Sequence, residues 1–288
     1  MSESLAEHLR VHALSDVLGA EIHGIDLRHP LRPEAAAALR RAWHAHAVVV
    51  VRGQSLTEDD QARYGEYFGR LGDARYAPTR RGETAPHHPS VLFVSNVREN
   101  GRLIGTLPDG EVHFHTDMHF TPTPPVATML YAIEVPARGG NTKFANMYMA
   151  YAALPEAVKT RLEDLEALNV YDLYGAAGAP AVRVSSVSTD APSCIHPVVK
   201  AHPVTGRKVI NVNRLMTTRI EGLSTTESDD LLAYLFDHLE QERFIYEHAW
   251  QVGDVVLWDN RCTQHARTDF DPRERRLLRR MTVQSEWP

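Results

Sequence analysis

His115 and Asp117 stand two positions apart in Phe114-His115-Thr116-Asp117, and His265 closes a distant run that begins at Trp258-Asp259-Asn260-Arg261. On an extended strand, side chains alternate between faces, so a spacing of two aims an imidazole and a carboxylate to the same side. A third ligand from far along the chain completes two histidines and one carboxylate on one face of a metal. Such a set suits a non-haem Fe(II) oxygenase, because three coordination positions stay open for co-substrate and oxygen. The same ligand types also suit catalytic zinc, as in a hydrolase. With 16 histidines in the chain, an H-x-D tripeptide is weak evidence, and on that ground alone His115 reads equally well as a core or surface histidine. Two neighbours strengthen the metal reading. Phe114 and Phe120 flank the pair and predict a partly dry setting, and His265 follows a buried-looking run, Val255-Val256-Leu257-Trp258, that ends in a polar turn at Asp259-Asn260.

The basic stretch from Arg275 to Arg280 adds an argument from parity. Arg276 and Arg280 lie four apart, so on a strand they share a face with Leu278 between them, while Arg275 and Arg279 face the other way. Two guanidiniums directed into an interior are costly unless each meets an anion. A dicarboxylate co-substrate and an anionic substrate would supply those anions, and the planar fork of arginine suits them better than lysine does. The competing interpretation is a basic edge strand whose charges are all solvated. Other histidines compete for roles. His113 shares strand parity with His115 and points toward the substrate pocket; His119 reads as a structural neighbour of the motif.

The elements that must position these residues read as mainly β with inserted helices. Helices are expected from Pro33 through Ala47, from an N-cap at Thr57, over Pro155 to Leu168, and after the capping box of Ser224 and Glu227. Val48 to Val51 form a β-branched run typical of a buried strand. Further strands are expected over Val91 to Val97, Met129 to Val135, Phe244 to Trp250, Asp254 to Trp258, Thr263 to Arg267 and Leu277 to Ser285, with a turn at Gly139-Gly140. No regular βαβ rhythm appears, so a β-sandwich or jelly roll is expected rather than a Rossmann sheet. The stretch from Tyr171 to Cys194 is long for an ordinary loop and reads as a lid. The 288 residues, 43% hydrophobic, suffice for one all-β domain spanning residues 1–288. Net charge −6 argues against nucleic acid or anionic membranes as partners. No apolar window is long enough for a membrane span. With two cysteines and an acidic N-terminus, a cytoplasmic protein is expected.

Taken in order, these motifs resemble the Fe(II)/2-oxoglutarate-dependent dioxygenases of the taurine dioxygenase and 2,4-dichlorophenoxyacetate dioxygenase (TauD/TfdA) family, nearly end to end. The resemblance rests on Gly19-Ala20-Glu21-Ile22 with Gly24-Ile25-Asp26-Leu27, Arg52-Gly53-Gln54, His115-Thr116-Asp117, Gly139-Gly140-Asn141-Thr142, Trp258-Asp259-Asn260-Arg261 with His265, and Arg276 with Arg280. It implies a double-stranded β-helix (jelly roll) with His115, Asp117 and His265 as Fe(II) ligands. It also implies Thr142 and Arg276 on the distal carboxylate of 2-oxoglutarate, and Arg280 on the acidic group of the substrate. The implied reaction consumes O2, hydroxylates a C–H bond of a small anionic acid (a sulfonate, sulfate ester, aryloxyalkanoate or other carboxylate) and releases succinate and CO2. Where the hydroxylated carbon bears a heteroatom, the product collapses. The carboxylate at Asp117, which halogenating relatives replace by a small residue, points to hydroxylation. Tyr76 falls where the taurine enzyme has a sulfonate-binding tyrosine, but Gly72 to Ala77 contains no histidine, which argues against taurine itself. Relatives often form homo-oligomers, and that assembly is expected here. A jelly-roll binding protein without turnover is the remaining alternative; an intact ligand set and Arg276 count against it.

Overall fold

A computed structural model describes residues 9–74, 87–107, 109–171 and 191–287. Tyr76 and most of the expected lid, residues 172–190, lie outside the described residues.

Two β-sheets face each other. The larger orders its strands Arg10–Ala13, Ala20–His23, Val48–Val51, Val255–Asp259, Ala127–Glu134, Leu277–Ser285 and Arg70–Leu71, with Leu92–Ser95 also pairing to Leu277–Ser285. The smaller runs Ile245–His248, Thr142–Asn146, Thr263–Arg267, Val112–His115. Side-chain alternation explains how one valine run serves two cores. Val48 and Val50 join Leu130, Val256, Trp258 and Leu278 of the large sheet and Phe144 of the small one in the space between the sheets. Val49 and Val51 face the opposite way, with Met129, Val255 and Leu257, under Leu39, Trp43 and Tyr64 of the two N-terminal helices. The outer face of the small sheet is covered in turn, with Ala145, Met147 and Ala266 packed against Leu231, Leu235 and Phe236 of the helix Thr225–Leu239. The central strands Val48–Val51 and Val255–Asp259, covered on both faces, are buried throughout and read as nearly continuous apolar runs. This is the jelly roll.

Local signals match the elements closely at the helix starts. Pro33 opens the helix Pro33–His46, and the helices Glu58–Glu66 and Thr225–Leu239 carry full capping boxes at Thr57 with Asp60 and at Ser224 with Glu227. One helix is much shorter than expected. The segment from Pro155 gives a helix only over Glu156–Leu162, and Glu166–Val170 is a strand paired with Ser193–Pro197 and Thr217–Ile220. Partners 23 to 53 residues away outweigh the local helical pattern. The helix Met147–Ala152, capped by the Asn146 side chain, and the strand Arg10–Ala13 were not foreseen.

Candidate active site

The ligand-type residues meet between the sheets. His115 and His265 are cross-strand partners in the small sheet, with ring centroids 4.1 Å apart. The strand carrying His115 ends there, and Asp117 lies beyond it, just before Met118 turns the chain with φ 52°. The candidate ligand atoms of His115, Asp117 and His265 lie within 4.8 Å of one another. Asp117 Oδ1 faces His115 Nε2 at 4.0 Å. Its Oδ2 accepts from Thr128 Oγ1 at 2.5 Å and is 2.9 Å from Arg280 Nη2. His115 Nδ1 lies 2.8 Å from the carbonyl of His113, which fixes the tautomer as Nδ1–H and leaves Nε2 as a lone pair.

Electrostatics place these groups in their metal-binding forms. Burial pushes the His115 pKa down, and burial together with His115 takes that of His265 to about 3. For Asp117, burial would raise the pKa, but Arg280, the two imidazoles and Thr128 together hold it well below the usual carboxylate range. Two neutral imidazoles and one ionised carboxylate are the species a divalent metal takes.

A cavity of about 150 Å³ opens on this set. Val94, Leu107, Phe120, Leu130, Tyr171 and Met216 supply apolar wall, and Thr142, Arg267, Arg276 and Arg280 supply polar wall. Arg276 is 2% exposed. Its Nε and Nη2 donate to the carbonyl of Gly140 at 3.2 and 3.1 Å, while Nη1 is buried without a partner among the described residues. Burial, with Arg267 nearby, pushes its pKa down to about 9, the mark of a guanidinium that lacks an anion. Thr142 Oγ1 accepts from the indole N–H of Trp250 at 3.0 Å. Because indole can only donate, the hydroxyl proton of Thr142 remains to be given elsewhere.

The parity argument holds for the arginines. Arg276 and Arg280 line the cavity. Arg275 pairs with Glu134 at the surface, and Arg279 donates to Gln61 and to the carbonyls of Leu56 and Thr57 on the far face. For His113 the outcome differs. Between the pairs His265↔His115 and Arg267↔Val112, one strand advances two residues and the other three. That extra residue is a β-bulge, which breaks alternation. Val112, not His113, lines the cavity beside His115. Phe114 likewise packs in the outer core, and only Phe120 reaches the cavity. His119 is buried, lies 2.9 Å from Asn213 Nδ2 and stacks on His196.

Three residues at the site were not singled out from the sequence. Thr128 lies eleven residues from Asp117 in a buried strand, with no local signal. Asn260 reads from the sequence only as part of a turn. Arg267 sits two positions after His265, a same-face spacing that could have revealed it; its guanidinium donates to the carbonyls of Leu107, Asp109 and Gly110, pinning that segment. A second group, His202, Asp259 and Cys262, also brings ligand-type atoms within 4.8 Å. Asp259 is already occupied, since both its oxygens accept from Arg261 and Oδ2 also meets His202 Nε2 at 3.1 Å.

A jelly roll bringing two imidazoles and a carboxylate together, beside a buried arginine with one nitrogen unpartnered among the described residues, has the ligand types of a non-haem oxygenase scaffold. Residues 7–282 match the model of the taurine catabolism dioxygenase TauD, TfdA family, and the chain belongs to that family of dioxygenases. It is 31% identical to the alpha-ketoglutarate-dependent 2,4-dichlorophenoxyacetate dioxygenase of Cupriavidus pinatubonensis, over 94% of this chain and 96% of that protein. It is also 31% identical to the alpha-ketoglutarate-dependent sulfate ester dioxygenase of Pseudomonas putida, over 98% of this chain and 92% of that one. A crystal structure of AAD-2 in complex with Mn(II) and N-oxalylglycine superposes with a TM-score of 0.77 at 27% identity, covering 97% of this chain and 98% of that one.

Proposed function

We propose that this enzyme uses Fe(II) and 2-oxoglutarate to hydroxylate a C–H bond of a small organic acid with an apolar body and one anionic group. His115, Asp117 and His265 would hold the metal, and Arg276 with Thr142 the distal carboxylate of 2-oxoglutarate. The observation that carries this reading is the buried Nη1 of Arg276, without a partner among the described residues, beside the ligand set. A buried cation of this kind calls for an anion. When bound, iron would let O2 act as the oxidant for C–H cleavage, with 2-oxoglutarate giving up two electrons as it becomes succinate and CO2, the part no side chain can perform.

The chain's own residues bind, orient and exclude water. Arg276, fixed by the Gly140 carbonyl, directs its remaining N–H groups from a rigid base, and Thr142 offers a proton that Trp250 cannot take. Arg267 is satisfied by carbonyls, whereas Arg280 meets Asp117 through Nη2 and has its other N–H groups to offer the substrate's acidic group. The apolar wall around it suits an aryl or alkyl body. An aryloxyalkanoate, a sulfate ester, an apolar sulfonate or another carboxylate meets these demands, and the two relatives' substrates are of this kind. The zinc hydrolase alternative would leave Arg276 without an anion.

The test is anaerobic absorption spectroscopy of the metal-free protein titrated with Fe(II) and then 2-oxoglutarate, with His265→Ala as control. A visible charge-transfer band that needs both additions and is absent in the control is the expected result. No band in folded, iron-loaded protein would remove this reading. Candidate acids can then be ranked by how they perturb the band and by succinate formed.

A further inference from the structure

The run Trp258-Asp259-Asn260 lies next to the site without touching a candidate metal, yet it is joined to Asp117 by a chain of buried hydrogen bonds. Trp258 and Thr128 are cross-strand partners in the large sheet. Trp258 Nε1 donates to Asn260 Oδ1 at 2.9 Å; Asn260 Nδ2 donates to Thr128 Oγ1 at 3.0 Å; Thr128 Oγ1 donates to Asp117 Oδ2 at 2.5 Å. Trp258, Asn260 and Thr128 are at most 1% exposed.

The direction of every bond follows from its first member. An indole N–H can only donate, so the atom facing it must be the amide oxygen of Asn260. The amide nitrogen then faces Thr128 and can only donate, and a second N–H of the same group reaches the carbonyl of Pro125 at 3.1 Å. Thr128 Oγ1 is thereby an acceptor toward Asn260, and its one proton must go to Asp117. A hydroxyl left free to rotate would have no such preference.

We propose that Thr128 is a positioning residue that makes Asp117 a one-oxygen ligand. Oδ2 is held by Thr128 and Arg280, and Oδ1 is the oxygen turned toward His115. A carboxylate that binds through both oxygens takes two coordination positions, and the facial set needs all three of its open ones. The same Asn260 holds Trp258, whose ring packs 4.7 Å from that of His265. One asparagine therefore ties the support of the carboxylate to the packing of an imidazole. Thr128 has this role only if Asp117 is a metal ligand, as proposed above.

The experiment uses the full chain and Co(II) alone, under nitrogen, comparing the native protein with Thr128→Val, Thr128→Ser and Asp117→Ala by calorimetric titration and visible absorption. Loss of a hydrogen bond to a metal ligand typically weakens metal binding by roughly 10- to 100-fold. Thr128→Val should show such a loss with an altered Co(II) d–d spectrum, and Thr128→Ser, which keeps the hydroxyl, should recover affinity and spectrum. If Thr128→Val does not fold, Thr128→Ala gives the same comparison. A valine or alanine variant with native affinity and spectrum overturns the proposal while leaving the metal site intact. Equal losses in the valine and serine variants overturn it too, because the hydroxyl would not be the operative group. If the native protein binds Co(II) no better than Asp117→Ala, the metal reading itself fails, and the role of Thr128 with it.

Discussion

At the scale of single residues, the site sorts its cations by what already satisfies them. Arg267 and Arg279 meet main-chain carbonyls, Arg275 meets Glu134, and Arg280 meets one oxygen of Asp117. Arg276 keeps a buried nitrogen without a partner among the described residues. Two variants should therefore separate in kinetics. Arg276→Ala should raise KM for 2-oxoglutarate by roughly 10- to 100-fold, the usual effect of losing a charged hydrogen bond, and should change KM for the acid substrate far less. Arg280→Ala should do the reverse. Initial rates with each substrate varied in turn check both, and equal effects on both constants would reverse or merge the assignments. Arg280 also contacts Asp117, so its variant should in addition weaken metal binding somewhat, which Arg276→Ala should not.

At the scale of elements, turns do the positioning. Gly140 has φ 66°, and a Cβ there would stand 3.1 Å from Nε and 3.2 Å from Cδ of Arg276. Gly140→Ala would strain the backbone and push on the guanidinium its own carbonyl holds, so KM for 2-oxoglutarate should rise with little change in metal affinity. The turn after Trp258 depends on Asp259, 1% exposed, which takes Arg261 and His202 and whose main-chain N–H donates to the Ala47 carbonyl. Burial would raise the Asp259 pKa, but its hydrogen bonds from Arg261 and then His202 bring it from 3.8 down to about 2. With the folded value below the unfolded one, this stabilisation is complete above pH 3.8 and is lost as pH falls through about 2. Removing one partner of a buried pair typically costs about 3–5 kcal/mol. Asp259→Asn should show a loss of that order in urea unfolding at pH 7, and a flatter decline than the native protein between pH 4 and 2. A variant as stable as the native chain would show the pair to be dispensable.

At the scale of the molecule, strands from both ends of the chain build the large sheet, whose order runs from Arg10–Ala13 to Arg70–Leu71 beside Leu277–Ser285. The site lies between that sheet and the small one, so assembling the ligand set and folding the chain are one event. A metal that binds only the folded state should stabilise it by about 2.7 kcal/mol at a free concentration a hundred times its Kd. For a chain of 288 residues that corresponds to a rise in Tm of roughly 4–5 °C. Thermal melts of metal-free protein with and without Mn(II) or Co(II) measure it. Asp117→Ala should abolish the rise, and a rise that persists in that variant would point to binding elsewhere.

Read alone, the sequence determined whatever depends on periodicity and residue chemistry. The valine run and the capping boxes specify elements locally, the alternation of Arg275 to Arg280 specifies faces, and the ordered motifs carry the family. Everything that depends on register or on distant partners waited for the tertiary structure. One extra residue opposite Ala266 turns His113 from the cavity and puts Val112 there, and strand partners convert Glu166–Val170 from the end of a helix into a strand. Asn260 reaches Thr128, 132 positions away, and through it Asp117, because Trp258 and Thr128 pair across the large sheet. A spacing of two residues is a local property of the backbone. The direction of a proton along Trp258, Asn260, Thr128 and Asp117 belongs to the packed molecule, because each bond takes its sense from the one before it.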